Sequence, residues 1–117
     1  MVTPELKSLS SPALERPALP LNPRDCSVTL QASIGPKDAE GEELFEFQVI
    51  TPIFLAKNGL PRWGRGLLIV EQFSWQAVER ALERLLAHAH RKTWAEVAAV
   101  LNHEIQWEYD NYQPFAG

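Results

Sequence analysis

The chain has 117 residues, 45% hydrophobic and 22% charged, with one cysteine and a formal net charge of -4. That is a single globular domain with enough chain to bury a core, and its lone Cys26 excludes an internal disulfide, just as the lack of a Cys/His cluster excludes a zinc site. No basic stretch leads into an apolar run near Met1, no window approaches the ~18 apolar residues of a membrane span, and 15 acids against 11 bases disfavour binding to a phosphate backbone.

Pro4 to Leu9 reads as a short strand carrying Leu6. Pro12, Pro17, Pro20 and Pro23 then forbid a helix, so residues 11–24 form a proline-rich arm or ordered loop. In Val28 to Ile34, Val28, Leu30, Ala32 and Ile34 alternate with polar residues, the period-2 signature of a half-buried strand. Glu43 to Ile50 repeats the pattern with Phe45, Phe47 and Val49. The turn-rich segment Gly35 to Gly41 joins the two runs into an antiparallel hairpin.

Thr51-Pro52 predicts a helix start and Asn58-Gly59 a stop, leaving a single helical turn from Ile53 to Lys57. After a loop from Leu60 to Gly66, the four aliphatic residues Leu67 to Val70 predict a strand covered on both faces and central in the sheet. Ser74 caps an amphipathic helix from Trp75 to about His90, with Trp75, Val78, Leu82, Leu85, Leu86 and Ala89 on one side and Arg91-Lys92 complementing the dipole at its end. Thr93-Trp94-Ala95-Glu96 is a capping box, so a second helix starts there, carries Trp94, Val97, Val100 and Leu101 inward, and fades near Asn102 or His103. Ile105, Trp107 and Tyr109 then alternate with Gln106, Glu108 and Asp110 as a strand with an aromatic inner face and an acidic outer one, and residues 111–117 are an extended tail.

Strands come first and the two long helices are consecutive. The expected fold is therefore a single α+β domain over residues 1–117, with a mostly antiparallel sheet of about five strands and both helices on one face.

Residues able to do chemistry do not assemble into a motif. His88 and His90 are two apart on a helix and diverge by about 200°, so they cannot share a metal. His103 has no motif partner, and Cys26 has no nucleophile context. Trp63-Gly64-Arg65-Gly66 precedes a strand rather than opening a helix, which excludes a phosphate-binding loop. The reading is of a non-enzyme with no catalytic residues, no metal and no cofactor.

Two features suggest binding to another protein. Asp38, Glu40, Glu42, Glu43 and Glu46 crowd the hairpin, either as a negative field that attracts a basic partner or as a solvated turn. Trp63 stands between Arg62 and Arg65, either as an interface hot spot or folded back over the sheet edge with Arg65 paired to a carboxylate. Glu108 and Asp110, among the aromatics of Trp107 to Tyr112, either extend an acidic binding surface or finish a strand. Trp75, Trp94 and Trp107 lie on apolar faces and are expected in the core.

Five phrases carry a resemblance: Ile34-Gly35-Pro36-Lys37 with Gly41 to Val49, Thr51-Pro52, Trp63 to Glu71, Thr93 to Val97, and Trp107 to Pro114. In this order, over about Leu6 to Pro114, the chain resembles the immunity protein 8 family. The resemblance implies a single α+β domain that binds and neutralises a cognate toxin domain of a bacterial polymorphic toxin system, encoded beside that toxin and acting in the cytoplasm. A basic nuclease is one toxin that an acidic surface would suit; neither nucleic acid nor membrane is an expected partner, and the oligomeric state is left open. Alternatives are a non-catalytic accessory or adaptor protein of a secretion system and a small hydrolase using surface carboxylates.

Overall fold

Alternation along two strands builds the centre of the molecule. In the computed structural model, which describes residues 1–60 and 64–108, β2 (Ser27–Pro36) and β3 (Glu43–Ile50) pair antiparallel from Ser27↔Ile50 to Ile34↔Glu43. Leu30, Ala32 and Ile34 of β2 and Phe45, Phe47 and Val49 of β3 point to one face and are buried, as the period-2 pattern predicts. β1 (Pro4–Ser10) adds to the other edge of β2, with a register shift between Leu6 and Ser8.

The far edge of β3 is shared. β5 (Gln106–Trp107) pairs antiparallel with Phe45 and Glu46, while β4 (Leu67–Ile69) pairs parallel with Gln48 to Ile50. The sheet is thus five-stranded and mostly antiparallel, in the order β1-β2-β3-β4 with β5 beside β3.

β4 corrects the expectation of a central strand. It lies at the end of the strand order, and Ile69 is 56% exposed. A run of aliphatic residues reports an apolar neighbourhood but not whether a further strand lies beyond it. Here Leu68 and Val70 pack against the core cluster, while the alternate positions Leu67 and Ile69 are half-buried and exposed.

α1 (Pro52–Asn58) is longer than the expected single turn and has no buried residue. Thr51 precedes it without capping it through the side chain. Its buried hydroxyl instead accepts from the Cys26 amide at 3.0 Å and lies 3.3 Å from the Cys26 carbonyl, to which it donates. This contact fastens the start of β2 to the end of β3.

α2 (Trp75–Ala87) starts at Ser74, whose hydroxyl accepts from the Ala77 amide at 3.3 Å. Trp75, Val78, Leu82 and Leu86 are buried along its inner side. The helix stops at Ala87, short of the expected His90, because His88 and Ala89 turn back to the carbonyls of Leu85 and Leu86. Ala89 is buried beyond the helix, and Arg91 makes a backbone bridge with Val2 in place of the expected helix-end contact; Arg84 is the cation of the last turn.

α3 (Trp94–Leu101) begins at Thr93. The Thr93 hydroxyl accepts from the Glu96 amide at 3.2 Å, and the Glu96 carboxylate meets that same hydroxyl at 3.2 Å where the capping box predicts the Thr93 amide. Val97, Ala98 and Leu101 join the core; Val100 and Trp94 pack against its margin. One apolar cluster unites α2, α3 and the inner face of the sheet, so both long helices cover a single face.

Cys26 sits at the rim of this cluster, its thiol 3.5 Å from the Pro23 carbonyl. Burial, and secondarily the charge of Asp25, push the thiol above its ordinary value of 9.0. The unfolded chain therefore ionises this thiol first, so the contribution to stability is whole below pH 9.0 and is lost as pH rises through the folded value. Relative to Cys26→Ala, the wild-type protein should lose stability in urea between neutrality and about pH 10. An identical pH dependence in the two proteins would refute this.

Candidate partner-binding surface

The hairpin between β2 and β3 is tight because two glycines let the backbone cross itself. A Cβ on Gly35 would lie 2.0 Å from the Gly41 carbonyl oxygen, and Gly41 adopts φ 103°. The turn that results carries Asp38, Glu40 and Glu42 into solvent, all three exposed. None of the three makes a side-chain hydrogen bond or ion pair among the described residues.

Glu43 behaves differently. Its Oε2 accepts from the indole N–H of Trp94 at 2.9 Å and of Trp107 at 2.8 Å, so one carboxylate ties the start of β3 to α3 and β5. Trp94 and Trp107, expected in the core, are half-buried at its edge for this reason. An indole in an apolar setting needs an acceptor for its N–H, and that requirement is the one sequence signal that could have found the tie.

Glu108 is similarly employed. Its Oε1 accepts from the Leu44 amide at 3.0 Å while its own amide donates to the Leu44 carbonyl at 2.9 Å, prolonging the contact of β5 with β3. Glu46 stays exposed on the outer face of the sheet, in register between Gln31 of β2 and Gln106 of β5. Shallow clefts of about 150 and 220 Å³ flank it, one lined by Gln31, Leu44 and Glu108, the other by Thr29, Gln48 and Arg65. The outer face is thus polar, uneven and uncovered by the two long helices.

Among the described residues, Arg65 is anchored on Asn102. Its Nε and Nη2 donate to the Asn102 carbonyl at 3.0 and 2.8 Å, and Nη2 also reaches Asn102 Oδ1 at 2.7 Å. This satisfies a carbonyl at the end of α3, where a cation also complements the helix dipole. The same Oδ1 accepts from the Trp107 amide at 2.9 Å, so Asn102 links the loop before β4 to β5. The sequence marks Asn102 only as a place where the second helix fades, and nothing there distinguishes it from an ordinary helix end. Arg62, Trp63 and Asp110 lie outside the described residues, as do Tyr109 and the tail 111–117.

The ten nominated residues therefore divide. Asp38, Glu40, Glu42 and Glu46 present open carboxylates, whereas Glu43, Glu108 and Arg65 hold elements together. The described residues contain no group of three or more His, Cys, Asp or Glu that could hold a metal, and no helix among them is long and apolar enough to cross a membrane.

The family model for immunity protein 8 matches residues 5–112, from β1 through β5. The chain belongs to the immunity protein 8 family. No curated protein and no solved structure matches it. The immunity protein 8 family is generally non-catalytic, and membership suggests a toxin as the partner.

Proposed function

We propose that this immunity protein 8 family member binds a cognate toxin domain in the cytoplasm and neutralises it through the hairpin tip and the adjoining outer face of β3. The observation that carries this reading is the set of carboxylates on Asp38, Glu40 and Glu42, which are exposed within one turn and enter no ion pair among the described residues. Such a turn projects a negative field that accelerates encounter with a cationic surface, and it suits a toxin with a basic substrate cleft such as a nuclease. Glu46 extends the same charge onto the sheet.

The test reverses Asp38, Glu40 and Glu42 to lysine and leaves Glu43 in place, since changing Glu43 would loosen two tryptophans as well. Binding to the toxin domain encoded beside this chain should weaken at least about tenfold, mostly through the association rate, and the rate should lose much of its salt dependence. Cells expressing the toxin should then no longer be rescued. Unchanged affinity in the triple variant would remove the hairpin from the interface, and failure of the wild-type protein to bind or rescue would remove the neutralising function.

A further inference from the structure

Three polar side chains stand in a row on the outer face of the sheet. Gln31 of β2 pairs with Glu46 of β3, and Glu46 with Gln106 of β5. Residues opposite one another in antiparallel strands point the same way, so the three rise together from the side that the long helices leave bare. Their side chains make no hydrogen bond or ion pair with each other or with any other described residue. The row is a set of polar groups that the fold itself does not use.

The same three side chains wall a cleft of about 150 Å³. Its apolar part is Leu44, two residues before Glu46 on the same face and 39% exposed. Its far wall is Glu108, whose Oε1 is held by the Leu44 amide. No cation among the described residues lines this cleft. Arg65 lines the neighbouring one, on the other flank of Glu46, and its guanidinium is engaged by Asn102. An open carboxylate between two amide carbonyls, with an aliphatic surface beside them, matches the arginine side chain. A guanidinium offers five N–H donors in a planar fork, enough to take both carboxylate oxygens and still reach the amides, while its methylene stem lies on apolar surface. A lysine ammonium brings three donors about a point and fits such a row less well.

We propose, resting on the neutralising role argued above, that this cleft receives one arginine side chain of the toxin, with Glu46 taking the guanidinium and Leu44 the stem. The contact is one anchor within the wider interface that the hairpin tip begins, and arginines seated in pockets are frequent anchors of that kind. Glu46 suits the part because its backbone is fixed between two paired strands, so little freedom is lost when the arginine enters. The tip carboxylates steer the partner from a distance, and the cleft holds it once it has arrived.

Binding kinetics with the toxin domain encoded beside this chain test the assignment, each toxin arginine being replaced in turn by alanine. Glu46→Gln should weaken binding about tenfold or more through the dissociation rate, whereas the lysine variant of the tip acts on the association rate. One toxin arginine should cost as much when removed, and its removal should cost nothing further in the presence of Glu46→Gln. Lysine at that toxin position should recover only part of the loss. Gln31→Lys sets an ammonium opposite Glu46 in the row, so it should weaken binding as Glu46→Gln does without lowering Tm. A Glu46→Gln or Gln31→Lys variant within about twofold of wild type, beside a weakened tip variant, overturns this inference alone, as does additivity with every toxin arginine. A wild-type chain that binds no toxin overturns it together with the neutralising role.

Discussion

Gly35→Ala is expected to cost about 3 kcal/mol or more of folding stability, on the order of 10 °C in Tm. The methyl group would sit 2.0 Å from a backbone carbonyl oxygen, that of Gly41, and then 3.0 Å from the Gly41 carbonyl carbon. Backbone cannot swing aside as a side-chain tip can, so relief requires the two strands to part at the hairpin, where β2 and β3 make the most extensive pairing in the sheet. Overpacking in confined places typically costs 1–3 kcal/mol, and a clash between main-chain atoms belongs at or beyond the top of that range. Gly41→Ala supplies the contrast. Its φ of 103° is strained for any L side chain, yet no atom lies within 4 Å of the added methyl, so the cost should be about 1 kcal/mol. Urea denaturation of both variants checks the order, and a Gly35→Ala protein more stable than Gly41→Ala would show that the turn relaxes freely.

Glu43→Ala should destabilise by about 2 kcal/mol and alter the tryptophan emission. Two indole N–H groups now end on one carboxylate oxygen, and hydrogen bonds to a charged acceptor contribute about 1.5–3 kcal/mol each when shielded. All three residues are half-buried, so water can partly replace the lost acceptor and the sum falls toward the lower end. Glu43→Gln keeps one carbonyl acceptor and removes the charge; it should recover about half of the loss. Equilibrium urea unfolding followed by fluorescence gives both readings. A Glu43→Ala variant within about 0.5 kcal/mol of wild type would mean that the tie does not stabilise the fold.

The two predictions illustrate what could be read in the residues and what could not. Val28 to Ile34 and Phe45 to Val49 were legible because alternate side chains of a strand must face opposite ways, and one face here is dry. Ser74 and Thr93 were legible because a helix start needs a local acceptor. Leu67 to Val70 misled as a central strand, since four apolar residues carry no record of how many neighbours flank them. The end of α2 misled because Ala89 keeps the helical spacing and is buried, although the backbone has already turned at His88. Glu43 was misread as surface charge for a related reason. Its partners stand 51 and 64 positions away, and only the tertiary approach of α3 and β5 reveals that they need it. The acidic run looked uniform in the sequence; the fold sorts it into carboxylates that hold elements and carboxylates that hold nothing.

That sorting bears on how such a protein can change over generations. Asp38, Glu40 and Glu42 stand on a turn whose shape is set by the close approach of Gly35 to Gly41, and their own side chains support no other part of the molecule. Substitutions there leave the core and the tryptophan tie untouched, while any change at Gly35 or Glu43 is felt throughout the sheet. A lineage could therefore redraw the tip one residue at a time, following a diversifying partner, without passing through an unfolded ancestor.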